Sequence, residues 1–400
     1  MKNKNNTKLY IQKLTILLFV MMFFPLICAC SSSNKTVYPL EIVPKEEAQS
    51  SSSEKEEREI IVNIDKYLED KSSSSSEIVV EIAPSESMDE REEEEVSATT
   101  DENGNPLTPD GKRIIDLIIF MGQSNMSGVG GNADLAPHVD EGKGYEFKAI
   151  SDPTRLYNIE EPFGKNESFI GGICDFPGSK RGSIVSAFVN EYYEQTHTPV
   201  VCVSASEGAT TTEKWMSASY QADLSERFKR AVVWLESNDF SIRNRYAIWL
   251  QGESDAANNV EGDKYIENMD NIIRCLFIDG LNKVFIITPG RTITIKNYFD
   301  TIVKSQIEMC KKSGYYALAT TALCKVSTEF MVDEWHYNQK VLNYIGKDTA
   351  DSVAFYTLNR KEKVIFDYKN DTVFIPDLFD YTGEETVESV DINEVLRNEG

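Results

Sequence analysis

Beyond residue 112 the apolar residues fall into short runs separated by longer stretches of helical period. The first run, residues 114–121, reads Ile-Ile-Asp-Leu-Ile-Ile-Phe-Met. It is too short and too β-branched for a helix, so the pattern predicts a buried strand. Similar runs lie at 199–204, 246–250, 283–288 and 315–319. Between and after them, residues 183–195, 219–237, 264–278, 298–312 and 338–355 predict helices. Ile184, Val185, Phe188, Val189 and Tyr192 fall on one face of the first, and Phe228, Ala231, Val232 and Leu235 form a stripe on the second. Five apolar strands alternating with helices imply an α/β fold. The expected form is a three-layer sandwich with a five-stranded, mostly parallel sheet and right-handed crossovers. Residues 128–182 interrupt the alternation as a glycine-rich, irregular stretch. Loops of that length inside a domain are usually functional. Beyond the core (113–357), residues 363–381 carry Asp367-Tyr368-Lys369-Asn370-Asp371-Thr372 between two apolar runs, which predicts an appended β-hairpin. From Glu384 to the end, residue 400, the chain is acidic and expected to fray.

The first 112 residues follow a different pattern. Lys2, Lys4, Lys8 and Lys13 precede an apolar stretch, 14–30, broken by Pro25. A basic start, an apolar middle and small residues at the cut describe a secretory signal. Its ending, Ile27-Cys28-Ala29-Cys30 followed by serines, resembles a bacterial lipobox, with Cys30 as the lipidated residue of an exported lipoprotein, cell-surface or periplasmic. An ordinary signal peptide or an uncleaved anchor is the alternative. Two acyl chains on Cys30 would suffice for stable membrane attachment. Residues 31–112 hold 22 Asp and Glu against 8 Lys and Arg, with serine runs at 50–53 and 72–76. Low hydrophobicity and like charge predict a disordered, extended tether, although the apolar patches 59–64 and 78–82 could pair as strands. Asn103-Gly104 and Pro109-Asp110-Gly111 are turn signals that end it.

A formal charge of −24 argues against a nucleic-acid partner, because phosphate contacts need a basic face. Seven cysteines show no CxxC pair, and two of them lie in the leader. Cys174, Cys202, Cys275, Cys310 and Cys324 read as buried thiols, with one disulfide open to an exported protein. They and the three histidines form no metal-ligand set, so neither metal nor organic cofactor is expected.

The candidate chemistry begins where the first strand ends, in Gly122-Gln123-Ser124-Asn125-Met126. Ligands and catalytic groups of open α/β sheets collect at the carboxyl ends of strands. A serine there can act as nucleophile if a base, an orienting acid and oxyanion donors accompany it. His138 and His197 sit in polar loop sequence and read as surface residues, which leaves His336. In Asp333-Glu334-Trp335-His336 the carboxylate can accept the imidazole Nδ1–H and leave Nε2 free to take a proton from Ser124. Three oxyanion donors are available: the Ser124 amide, the amide of Gly182 ahead of a helix, and the Gln251 side chain after the third strand. Each such donor is typically worth about 10²–10³ in rate. Gln251 could equally serve structural hydrogen bonds around a tight turn.

These segments, together with Gln251-Gly252-Glu253-Ser254-Asp255 and Asp333-x-x-His336-Tyr337-Asn338, resemble the sialate O-acetylesterase-like (SASA) family. That family belongs to the SGNH-hydrolase superfamily, which is flavodoxin-like, and includes carbohydrate esterase family 6. Glu207-Gly208-Ala209-Thr210 with Lys214-Trp215 is similar to its Gly-Gly-Thr…Trp segment, except that Ala209 replaces the second glycine. The resemblance covers about residues 113–357. It implies Ser124 as nucleophile, His336 as base and Asp333 as orienting acid. The Ser124 amide, Gly182 and Gln251 would form the oxyanion hole, with Gly171 or Gly172 competing for the glycine's place. Gln123 and Asn125 belong to the supporting set. Glu253 and Asp255 would pin the third loop, with Asp255 an alternative catalytic acid.

The expected reaction removes acetyl groups from an acetylated polysaccharide or a sialoglycan through an acetyl-enzyme. A catalytically silent glycan-binding lipoprotein and a long-chain lipase are the competing readings. Tyr145, Phe147, Tyr157, Phe163, Phe169 and Phe176 could stack on sugars or serve the core.

Overall fold

The computed structural model describes residues 99–376, 387 and 389–398. The leader, Cys30, the tether as far as residue 98 and most of the stretch 377–388 lie outside these residues.

The central strand, β1 (Arg113–Gly122), is buried from Ile115 onward on both faces, as a continuous apolar run requires. The other expected strands are β4 (Val200–Ser206), β5 (Phe240–Leu250), β6 (Lys283–Ile287) and β7 (Tyr316–Thr320). β5 starts six residues before the apolar run at 246–250, because Ser241, Arg243, Asn244 and Arg245 interleave polar positions. Two further strands, β2 (Gly144–Phe147) and β3 (Leu156–Asn158), come from the stretch read as irregular loop. The sheet therefore has seven strands, not five, in the order β3-β2-β4-β1-β5-β6-β7. Every neighbouring pair is parallel except β2–β3. The two extra strands were hidden because they are short and mix glycine, charge and aromatics.

Odd positions of β1, from Ile115 to Met121, share a core with α4 (Ala218–Glu236), α6 (Gly262–Ile278) and α7 (Asp300–Lys312), whereas Ile118 and Phe120 face α2 (Val185–Thr196) and α8 (Gln339–Asn359). The three short helices α1 (Ser124–Ser127), α3 (Thr212–Trp215) and α5 (Glu253–Ala257) each follow the carboxyl end of a strand. The five helices predicted by apolar period are all present, and the predicted hairpin forms as β8 (Ile365–Asp367) and β9 (Thr372–Phe374). Asp116, the one charge in the central run, is fully buried and accepts from Tyr192 Oη at 2.7 Å, Arg243 Nε at 3.1 Å and Asn244 Nδ2 at 2.7 Å.

Both ends of the domain are more ordered than the composition suggests. Thr100 bridges Pro106, Leu107 bridges Arg113, and the buried Asn105 accepts from Tyr193 Oη at 2.8 Å. Residues 99–112 thus pack on the folded domain instead of continuing a tether. At the other end α9 (Ile392–Asn398) buries Ile392 and Leu396 against the α8 face, so this part of the acidic tail does not fray. Ile392, Val395 and Leu396 have helical spacing, but a single turn in a charged segment is too short a window to announce a helix.

Within β2, Glu146 is buried and accepts the Gly164 amide at 3.1 Å. Burial pushes its carboxyl up from an ordinary 4.5 to about 7. The native state therefore holds a proton that the unfolded chain releases, and stability falls as pH rises through that window. The displacement corresponds to about 3 kcal/mol. Glu146→Gln keeps an acceptor for Gly164 and should melt above the wild type at pH 8, with the gap closing toward pH 4.5. Thermal melts of both proteins across that range check this.

Candidate active site

Three loops meet because three strands end in register. Gly122 pairs with Ser206 of β4 and Leu250 of β5. The Gln123 amide donates to Leu250 O at 3.0 Å, and the Glu207 amide donates to Gly122 O at 3.0 Å. Gly122 has φ +142, and a Cβ there would lie 2.0 Å from the Leu250 carbonyl oxygen, so no other residue lets the chain leave β1 at this spacing. The turn places Ser124 as the first residue of α1, where its amide has no intrahelical acceptor.

His336 arrives on the loop before α8. Its Nδ1 lies 2.8 Å from Asp333 Oδ2, while Asp333 Oδ1 accepts the amides of Trp335 at 2.8 Å and His336 at 2.9 Å. Partial burial raises the Asp333 carboxyl, but the bonds from His336 and the two amides outweigh it and hold the group below its ordinary range. The loop is fastened to the residue after Ser124. Asn125 Nδ2 donates to Trp335 O at 3.2 Å, and Asn125 Oδ1 accepts the Tyr337 amide at 3.4 Å. The peptide units on both sides of His336 are thus clamped by the residue after Ser124. Gly130 lies against the same segment, where a Cβ would come within 2.9 Å of His336 Cβ. Ser124 Oγ has no hydrogen-bond partner among the described residues. Catalytic hydrogen bonds often tighten only in the reacting complex.

The third loop supports this arrangement from below. Glu253 Oε1 accepts Asn125 Nδ2 at 2.8 Å, and the Ser254 amide donates to Gln123 Oε1 at 3.3 Å. Burial raises the Glu253 carboxyl, partly countered by the Asn125 bond. Asp255 accepts the Thr212 amide at 3.0 Å and Thr212 Oγ1 at 2.5 Å, and also bonds Gln251 Nε2. Its carboxylate is committed to that loop and makes no bond to His336.

Two of the expected oxyanion donors sit elsewhere. Gln251 is fully buried, its Nε2 donating to Thr210 O at 2.9 Å and to Asp255, while its Oε1 accepts from Tyr265 Oη at 3.1 Å. Both amide hydrogens are occupied, so Gln251 braces the turn instead of facing Ser124. Gly182 is wedged between the loop after α1 and α8: a Cβ on it would lie 2.3 Å from Gln339 Oε1 and 2.8 Å from the Asn132 backbone. Gly172 lies against Asp223, and Gly171 has open space around it. The glycine beside Ser124 is Gly208, where a Cβ would lie 3.5 Å from Ser124 Cβ. It follows β4 in the segment Glu207-Gly208-Ala209-Thr210, and that position after the second parallel strand was the available signal. Ala209 adopts the left-handed region at φ +57, which is why a glycine suits this turn.

The carbohydrate esterase, sialic acid-specific acetylesterase family model matches residues 114–354. The chain belongs to this family. Among solved structures, a protein from Arabidopsis thaliana is 18% identical, with 61% of this chain and 99% of that one covered and a TM-score of 0.44. NanS is 11% identical over 62% of this chain and 99% of its own, with a TM-score of 0.43. A carbohydrate acetylesterase from Xanthomonas citri is 16% identical over 62% of this chain and 58% of its own, with a TM-score of 0.40. No curated protein matches the chain.

In this carbohydrate esterase the remaining candidates separate by burial. Phe147 and Phe163 belong to the core, Tyr145 and Tyr157 are half-buried, and Phe169 and Phe176 are 47% and 53% exposed. His138 and His197 are exposed, and all five described cysteines are free thiols. Removing the Asn125 clamp should leave the fold in place but loosen His336. A displacement of about 1 Å can cost about 10²-fold in rate. Asn125→Ala is therefore expected to lower kcat for ester hydrolysis by about that factor with KM little changed, as steady-state kinetics on p-nitrophenyl acetate would report.

Proposed function

We propose that this esterase removes O-acetyl groups from acetylated glycans through a Ser124–His336–Asp333 triad and an acetyl-enzyme. The observation that carries the reading is the double clamp of Asn125 on the peptides flanking His336, together with the 2.8 Å bond from His336 to Asp333. It ties base and orienting acid to the residue that follows the nucleophile.

In the proposed reaction, Ser124 Oγ attacks the acetyl carbonyl while His336 Nε2 takes its proton. Asp333 accepts from Nδ1, fixes the tautomer and stabilises the imidazolium. The amides of Ser124 and Gly208 receive the developing oxyanion. The tetrahedral intermediate collapses as His336 returns the proton to the departing sugar hydroxyl. Water, activated by the same imidazole, then releases acetate and restores Ser124. Acetylated xylan-type polysaccharide and O-acetylated sialoglycan are the substrate classes this reading admits. The sequence supports an exported lipoprotein held at the membrane through Cys30, where polymeric glycans would be accessible.

Acetate release from acetylated xylan and O-acetylated neuraminic acid tests the reading. Wild type should release acetate from at least one, and Ser124→Ala should lose about 10⁴-fold or more of that rate. Acetate release that survives the substitution would remove Ser124 from the mechanism. A preference for p-nitrophenyl octanoate over the acetate ester would favour a lipase instead.

A further inference from the structure

The stretch between β3 and α2 delivers a carboxylate to the donor beside the nucleophile. Asp175 has a side chain only 2% exposed. Its Oδ1 accepts the Gly208 amide at 3.2 Å and the Phe176 amide at 3.1 Å. Its Oδ2 is buried with no hydrogen-bond partner. Lys180 Nζ stands 3.9 Å from that Oδ2, on a side chain 7% exposed, and donates to Ser206 Oγ at 2.7 Å and Ser204 Oγ at 3.5 Å. The backbone around Asp175 is pinned: the Cys174 amide donates to Glu207 Oε2 at 2.6 Å, the Ile173 amide to Asp223 Oδ2 at 2.8 Å, and the Asp175 amide to Ser168 Oγ at 3.1 Å. The chain is fixed, whereas the carboxylate has one satisfied oxygen, one orphaned oxygen and a cation just out of reach.

We propose that Asp175 is a positioning residue for the oxyanion hole, holding the Gly208 amide in the empty site and yielding it to the acyl oxygen by turning toward Lys180. The proposal rests on the esterase reading above. A carboxylate oxygen and an oxyanion cannot share one N–H, because two negative charges would meet in a site of low dielectric. Without Asp175, in turn, this partly buried amide would have no protein acceptor in the empty site, which is costly. Asp175 removes that cost between turnovers, and Lys180 receives the displaced charge as a short ion pair. Exchange of one acceptor for another also keeps stray anions from occupying the hole.

The test compares wild type, Asp175→Asn and Lys180→Met on p-nitrophenyl acetate, with melting curves for each and ¹⁵N-glycine labelling to follow the Gly208 amide. Asp175→Asn replaces a charged acceptor by a neutral one, so kcat/KM should rise about tenfold and the Gly208 proton should move upfield. Lys180→Met removes the place the charge moves to, so kcat/KM should fall about tenfold with the Gly208 proton unmoved. In wild type the same resonance should move when a neutral p-nitrophenyl phosphonate diester modifies Ser124, a readout that needs no variant to fold. A Gly208 resonance indifferent to both Asp175→Asn and the phosphonate, or a folded Asp175→Asn protein no faster than wild type, would overturn the proposal. If wild type hydrolyses no ester, the esterase reading falls and takes this one with it. If wild type is active and only the Asp175 results fail, this proposal alone falls.

Discussion

The close approach of β1 to β5 at Gly122 governs what the rest of the site can be. With no side chain at that position, the Leu250 carbonyl can accept the Gln123 amide across the gap. The Gly122 carbonyl in turn receives the Glu207 amide. One residue therefore sets the height at which three loops leave the sheet. Ser124, Gly208 and the 251–255 turn meet because their strands stop together, and parallel strands in register make them stop together. A side chain at 122 would push β5 away and separate Ser124 from the 251–255 turn.

The loop that carries His336 closes on itself through a bridge between Met331 and Tyr337, and Asn125 ties it to the end of β1. Its amide reaches across more than two hundred residues of sequence to both peptides flanking His336 and at the same time to Glu253. A single side chain with donors and an acceptor in one plane can do this, which a carboxylate or a hydroxyl cannot. The placement of His336 and Asp333 thus depends on hydrogen bonds made by neighbouring polar side chains, in the way buried polar networks fix one arrangement.

Much of this was legible in the sequence, for identifiable reasons. The central strands are buried on both faces, so they appear as unbroken apolar runs, and the helices between them show their period. Ser124, Asp333 and His336 could be singled out because histidine is scarce and Asp333-x-x-His336 is local. Strands β2 and β3, at one side of the sheet, were not legible, since a strand that buries Glu146 and carries glycine has no apolar signature. The surroundings of the expected oxyanion donors were not legible for a different reason. Gln251 has the right chemistry and the right place in the chain, but whether its amide hydrogens are free depends on Thr210 and Asp255, which only the fold brings to it. Gly182 and Gly208 both stand at turns before helices, and sequence does not say which turn faces Ser124.

The same argument separates the carboxylates. Glu253, Asp255 and Asp333 all lie in loops that gather around Ser124 and Asn125, and composition alone cannot rank them. Glu253 and Asp255 are both pushed up by burial, and their hydrogen bonds only reduce that effect. Asp333 also suffers burial, yet three donors from one turn reverse the sign and keep it ionised. An orienting acid must carry negative charge while its histidine becomes positive, whereas a bracing acid need only accept hydrogen bonds. Environment therefore divides like residues into unlike roles. The turn Asp333–His336 supplies its own donors, so this carboxylate is kept charged locally, by bonds made within the turn that Asn125 holds in place.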